Sequence, residues 1–239
     1  MMRKIMPMLS VFAVVAFLAG AAGAHSIRFV WKVDPGIGLP AISLDYCIMN
    51  EGEAFKWQDV EIPLVYQAFA DYWQALGSSS VTVQDGAIDR DITIVITLSP
   101  GRSEMFGHPV ALQIQFDVYD GIEDGTEVKD LTLLNPPGTH FSFNRPDGLV
   151  LYFEFSPAFE AAFLEPIGLS RDQITLAFVE GYQFVREGID VTPIWDGDAL
   201  TGLIGKVSHL STIVLVDKKA VQPTDVETST WAKIKALWR

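Results

Sequence analysis

From His25 to Val216 apolar and polar side chains alternate one for one through most of the chain, the period of strands with one face buried. Ile27, Phe29, Trp31 and Val33 fall on one face, with Arg28 and Lys32 on the other. The pattern returns in Ile92, Ile94, Ile96 and Leu98, and in Leu112, Ile114, Phe116 and Val118 against Gln113, Gln115 and Asp117. It recurs in Leu149, Leu151, Phe153 and Phe155, and in shorter runs at 81–83, 141–143, 174–178 and 213–215. Asp-Gly pairs at 85–86, 120–121, 124–125, 147–148 and 196–197 punctuate these runs and can supply the positive φ of tight turns. Strands joined this way predict a mainly β domain over 25–216, an antiparallel β-sandwich or barrel-like fold. A parallel α/β sheet would need a helix between most strands.

Two segments break the period. Val65, Phe69, Tyr72, Trp73 and Leu76 form one apolar stripe at helical spacing, between Pro63 at the start and Gly77 at the stop, which predicts a helix over 63–76. Ser156-Pro157 predicts the start of a second, shorter helix that buries Phe159 and Phe163. One or two packed α-helices therefore accompany the sheets, and both aromatic stripes read as core.

The ends differ in character from this body. Arg3 and Lys4, the apolar run Ile5 to Leu18 and the small residues Ala22-Gly23-Ala24 have the three parts of a secretory signal peptide over 1–24. They predict an exported protein, periplasmic, cell-surface or extracellular, whose mature chain starts at His25. Residues 217–230 read as a polar linker. Residues 231–239 form an amphipathic segment with Trp231, Ile234 and Trp238 on one side and Lys233, Lys235 and Arg239 for charge. This segment is similar to the short Trp-rich, basic C-terminal segments of some secreted bacterial proteins, which implies contact with a cell-surface or envelope component.

Charge and cysteine content narrow the partners. Thirty acidic side chains stand against 17 basic ones, a net charge of −13. Loss of 1–24 would remove Arg3 and Lys4 and bring it to −15. Nucleic acid, whose phosphates need basic neutralisation, is excluded as a partner. Cys47 is the one cysteine, so no intramolecular disulfide is available and its place in an alternating run reads as a buried, inert thiol.

Candidate chemistry is sparse. A chain beginning at His25 can chelate copper through its α-amine and imidazole. A β-sandwich opening on His resembles, in that respect only, copper-binding secreted proteins and the lytic polysaccharide monooxygenases. The resemblance implies a second imidazole, for which His108, His140 and His209 are the candidates. The acidic stretch Asp117, Asp120, Glu123 and Asp124, with Gly121 and Gly125, is oxygen-rich enough to suggest calcium but lacks EF-hand spacing. Asp196 and Asp198 suggest the same, less fully. Glu154 is a lone carboxylate without the partner a glycosidase needs. No phosphate loop and no Gly-x-Ser-x-Gly elbow occurs.

Phe55-Lys56-Trp57, Ile62-Pro63, Phe69 to Trp73 and Gly77 to Ser80, within 46–83, resemble the opening portion of secreted matrixin-type metalloproteases. That family holds zinc with a His-Glu-x-x-His helix and a further His. None of the four histidines here has that spacing, so no zinc ligand or catalytic residue carries over. The chain thus reads as an exported binding or surface-structural module without a recognisable catalytic site. The alternative is a copper-binding protein or copper-dependent oxidative enzyme built on His25.

Overall fold

The computed structural model describes residues 25–34, 41–62, 70–100 and 104–221. The strands of the first half are β1 (Ser26–Val33), β2 (Ile42–Asn50), β3 (Ala54–Lys56), β4 (Ser80–Val83), β5 (Ile92–Pro100), β6 (Glu104–Met105) and β7 (His108–Asp120). Those of the second half are β8 (Phe141–Ser142), β9 (Leu149–Glu154), β10 (Ile174–Glu180), β11 (Gln183–Val185), β12 (Ile189–Asp196), β13 (Ala199–Val207), β14 (His209–Leu210) and β15 (Thr212–Asp217). Two helices, α1 (Ala70–Ala75) and α2 (Pro157–Phe159), complete the set.

The strands form a large sheet in the order β11-β10-β15-β7-β5-β1-β2, with β6 folded back on β7, and a second sheet in the order β12-β13-β9-β4-β3. Their inner faces meet in one core. Ile94, Ile96, Ile114, Phe116, Leu176, Phe178, Ile213 and Leu215 of the large sheet join Val81, Val83, Leu149, Leu151 and Phe153 of the small one. Each buried side chain of this kind contributes roughly 1.5–3 kcal/mol of transfer free energy, which holds the chain together without a disulfide. The packing is tight: a Cβ on Gly205 of β13 would lie 2.5 Å from Leu176 Cδ1 of β10. Among the described residues no barrel closes, and the architecture is β-sandwich-like, as expected.

Aromatic rings fill one end of the sandwich. The Trp31 ring stacks on Phe55 at 4.6 Å and meets Trp57 edge-on at 4.5 Å. The Trp73 indole N–H of α1 donates to the Trp57 carbonyl at 2.7 Å. The residues that resemble the matrixin opening, Phe55, Trp57 and Trp73, are therefore core residues, all buried. Residues 63–69 of the expected first helix lie outside the described residues. The second helix starts where the sequence placed it: Ser156 Oγ accepts from the Phe159 N–H at 3.1 Å. The chain then continues as a π turn, Glu160–Leu164, and Phe159 and Phe163 are buried.

Three features depart from the antiparallel expectation and its boundaries. The pair β1–β5 is parallel, because between these strands the chain crosses to the other sheet to build β3 and β4. Alternation has the same period in both kinds of pairing and does not distinguish them. Gly148 does not take a positive φ. It is required by space, since a Cβ there would collide with the Phe143 side chain. Finally, β15 runs through Asp217, and a 3-10 turn, Lys218–Ala220, packs Ala220 against Val110, Ala177, Phe184, Val214 and Val216 on the outer face of the large sheet. The folded body extends to Val221, which bridges Phe184.

Candidate functional site

The large sheet contains a break. β15 pairs with β7 as far as Thr212 opposite Gln115, and the Phe116 N–H then donates to the Ser211 carbonyl at 3.2 Å. Beyond that point residues 132–135 take over beside β7. The Asp120 N–H donates to Thr132 at 2.9 Å and the Leu134 N–H to Val118 at 2.7 Å. Asn135 locks the junction: its Oδ1 accepts from the Val118 N–H and its Nδ2 donates to the Phe116 carbonyl, both at 2.7 Å. Where the two segments diverge, a cleft of about 710 Å³ opens between 132–140, the end of β10 and the start of β15.

Asp117, Tyr119, His140, Glu180, His209 and Ser211 are among the polar residues that line this cleft. Asp117 and Tyr119 are there because β7 alternates: Phe116 and Val118 point into the core, so their neighbours face outward. Gln115 Nε2 donates to both Asp117 oxygens, at 3.0 and 3.3 Å, and so orients the carboxylate. Burial, followed by the nearby Asp117 charge, pushes the Tyr119 phenol up, so it remains a neutral donor. Ser211 Oγ is buried without a hydrogen-bond partner. No Lys or Arg is among the described residues that line the cleft.

Of the four histidines, the fold brings two together. The rings of His140 and His209 lie 4.5 Å apart, and His209 also stacks on Phe178 at 4.0 Å. Burial, with a smaller contribution from His140, pushes His209 down to about 4, so it is neutral at pH 7. Its Nδ1 sits 3.2 Å from Ser208 Oγ. His25 stands elsewhere, 3.8 Å from Asp91, at the end of the sheet where Ile27 pairs with Ile92 and Ile92 with Asp120. His108 begins β7 at the opposite end, near the Phe184 ring. A 13-residue strand separates those ends, about 40 Å at the rise of an extended chain. His25 and His108 thus cannot share one ion.

The acidic stretch is also dispersed. Asp117 lies in the cleft, whereas Asp120 faces Arg90 at 3.9 Å. The Glu123 carboxylate accepts from the backbone N–H groups of Lys129 and Asp130 at 3.1 and 2.9 Å. These bonds hold its carboxyl below the usual range. The cation at the centre of the loop is Arg28, which is fully buried. Its guanidinium donates to the carbonyls of Glu123 and Glu127, with the loop residues Glu123 and Asp124 opposing the depression that burial imposes on its pKa. Asp124 joins Glu123, Glu127 and Asp130 around an open hollow of about 530 Å³. Among the described residues no three His, Cys, Asp or Glu side chains converge as a metal site.

The remaining candidates have structural partners or fall outside the description. Glu154 accepts the Ser78 N–H at 3.0 Å and ties β9 to the turn after α1. Burial, then Asp45, pushes the Cys47 thiol up to about 12, which makes it a poor nucleophile. Asp196 and Asp198 are exposed at the turn between β12 and β13. The signal-peptide segment 1–24 and Trp231, Ile234 and Trp238 lie outside the described residues. Among the described residues no helix is long and apolar enough to cross a membrane.

The cleft itself went unread in the sequence. Tyr119, Glu180 and Thr212 belong to three strands far apart in the chain, and Ser211 stands just before the last of them. Asp117, His140 and His209 were singled out for metals rather than for a cleft, and Pro136-Pro137-Gly138 is a further local signal, a turn that leads into His140. No protein-family model, curated protein or solved structure matches this chain.

Proposed function

We propose that the protein is an exported β-rich binding module and that the cleft at the break in the large sheet is its ligand site. The observation that carries this is the cleft's size together with its lining, about 710 Å³, within the span of small-molecule sites. The chemistry selects a neutral or cationic polar ligand. Asp117 and Glu180 are acceptors, Tyr119 and Ser211 offer hydroxyl groups, and among the described lining residues there is no Lys or Arg to hold an anion. The His140 and His209 rings line the cleft, and the bonds of Asn135 to Phe116 and Val118 hold the 132–140 segment against β7.

The test is a thermal-shift panel of neutral oligosaccharides and linear polyamines on the protein and on its Thr212→Trp variant, whose indole would fill the cleft. A ligand at about a hundred times its Kd stabilises by roughly 2.7 kcal/mol, a rise of roughly 5–11 °C for a domain of this size. The rise should vanish in Thr212→Trp and shrink in Asp117→Asn. A rise that persists in both variants places the ligand elsewhere. Deleting 231–239 tests the surface role: retention at the cell envelope should fall while the thermal shift is unchanged.

A further inference from the structure

We infer that the Phe106 and Tyr182 rings are a docking surface for the chain's own segment 231–239, which seats on them through Trp231, Ile234 and Trp238. Two tight turns bring these rings together. Phe106 and Gly107 join β6 to β7, with Met105 opposite His108, and Gly181 and Tyr182 join β10 to β11, with Glu180 opposite Gln183. The two rings meet edge-on at 6.1 Å. Phe106 also lies 5.3 Å from the Phe184 ring and helps to bury it. Even so, Phe106 stays 38% exposed and Tyr182 stays 90% exposed.

The turn that carries Phe106 runs against local preference. φ is +54° at Phe106 and +79° at Gly107, the form of two-residue hairpin turn that favours Asn-Gly. Among the described residues Phe106 is the one non-glycine at positive φ, a strained place for a bulky side chain. Cover for Phe184 uses one side of its ring. The other side joins Tyr182 in an aromatic surface open to solvent.

The place where the described chain ends identifies the occupant. Ala220 packs in the Phe184 cluster and Val221 bridges Phe184 itself, so the chain leaves the body beside this surface. Nine residues, 222–230, then separate Val221 from Trp231, a connection that spans at most about 30 Å. The exposed pair Tyr46 and Ile48 lies on β2, six strands across the large sheet from β11. That is roughly 29 Å at the spacing of paired strands, which leaves the connection no slack. Trp231, Ile234 and Trp238 fall at i, i+3 and i+7, one helical stripe. Isolated helices of this length are marginal in water, so the stripe gains order only against an apolar surface. Charge agrees: Lys233, Lys235 and Arg239 belong to a chain that carries −13 with them included. Glu104 and Glu180, each two residues before one of the open rings, are exposed. The same stripe is the one expected to meet the cell envelope, so the docked and envelope-bound states exclude each other. The docking does not depend on a ligand in the cleft.

The experiment is hydrogen exchange read by mass spectrometry on the full chain, on a chain ending at Thr230, and on the double variant Phe106→Asn, Tyr182→Ser. Asn suits the turn at 106, so the double variant removes both rings and keeps the hairpins. In the full chain the amides of 231–239 should exchange on the order of tenfold more slowly than in a synthetic peptide of that sequence, the ratio that a millimolar effective concentration sets for a contact with a Kd of about 0.1 mM. This protection should vanish in the double variant. Residues 181–184 should exchange faster in the chain ending at Thr230, and adding the 231–239 peptide at millimolar concentration should slow them again. Exchange of 231–239 at the rate of the free peptide overturns the inference. So does protection that persists in the double variant, which seats the segment elsewhere, and so does protection that fades on dilution, which assigns the surface to a second copy.

Discussion

Replacing Arg28 by methionine separates the stability of the acidic loop from that of the sandwich beneath it. The Arg28 guanidinium is fully buried under 121–131, donates to the Glu123 and Glu127 carbonyls, and leaves its Nε without a partner. Hydrogen bonds from a charged donor are worth about 1.5–3 kcal/mol each, and the one to Glu127, at 3.4 Å, belongs at the weak end. Against this stands the cost of burying an ion, which makes apolar replacement of buried charges often neutral or stabilising. The carbonyls lie on a surface loop and can turn to water once the donor is gone, so the two effects fall in different places.

Global stability should change by no more than about 2 kcal/mol, a shift in Tm of less than roughly 8 °C for this chain length. The loop should open: protection of the Lys129 and Asp130 amides should drop roughly ten- to a hundredfold, the ratio that 1.5–3 kcal/mol sets. Hydrogen exchange with mass spectrometry, run beside thermal unfolding, reads both quantities. Unchanged protection at 129–130 would refute the role given to Arg28. A global loss above about 4 kcal/mol would show instead that the sandwich depends on the buried cation.

Acid should open the same loop. The Glu123 carboxyl is held below its ordinary value of 4.5, so its contribution is present above that pH and is lost as pH falls through the lower, folded value; exchange at Lys129 measured from pH 6 to 3 checks this. His209 has a dependence of the same sign in a higher pH window. With its pKa lowered from 6.5 to about 4, the unfolded chain takes up a proton that the folded one refuses, so stability declines as pH drops from about 6.5 to 4. That decline should flatten in His209→Asn, as followed by chemical denaturation. Gly188→Ala should destabilise by about 1–3 kcal/mol, because φ is +83° and the new Cβ would meet the His209 ring at 2.6 Å; a change below about 0.5 kcal/mol in urea unfolding would contradict it. Trp73→Phe removes the N–H that bonds the Trp57 carbonyl and should cost about 1–3 kcal/mol by the same assay.

The sequence by itself determined what depends on neighbours in the chain. Period-two alternation assigned Phe29, Trp31, Ile94, Ile114 and Phe153 to the core, because a strand turns successive side chains to opposite faces whatever it pairs with. The second helix was legible for the same reason, since Ser156 caps an amide three residues on. Partner choice is not local, and here the tertiary structure decided. The parallel pairing of β1 with β5, the break where 132–135 replaces β15, and the stack of His140, His209 and Phe178 depend on contacts between segments distant in sequence. The outer face of β1 shows the limit most clearly. Arg28 occupies a position that alternation assigns to solvent, yet the loop after β7 folds over it and buries it completely. Alternation reports the side of a strand on which a residue stands; what covers that side is decided by the rest of the chain.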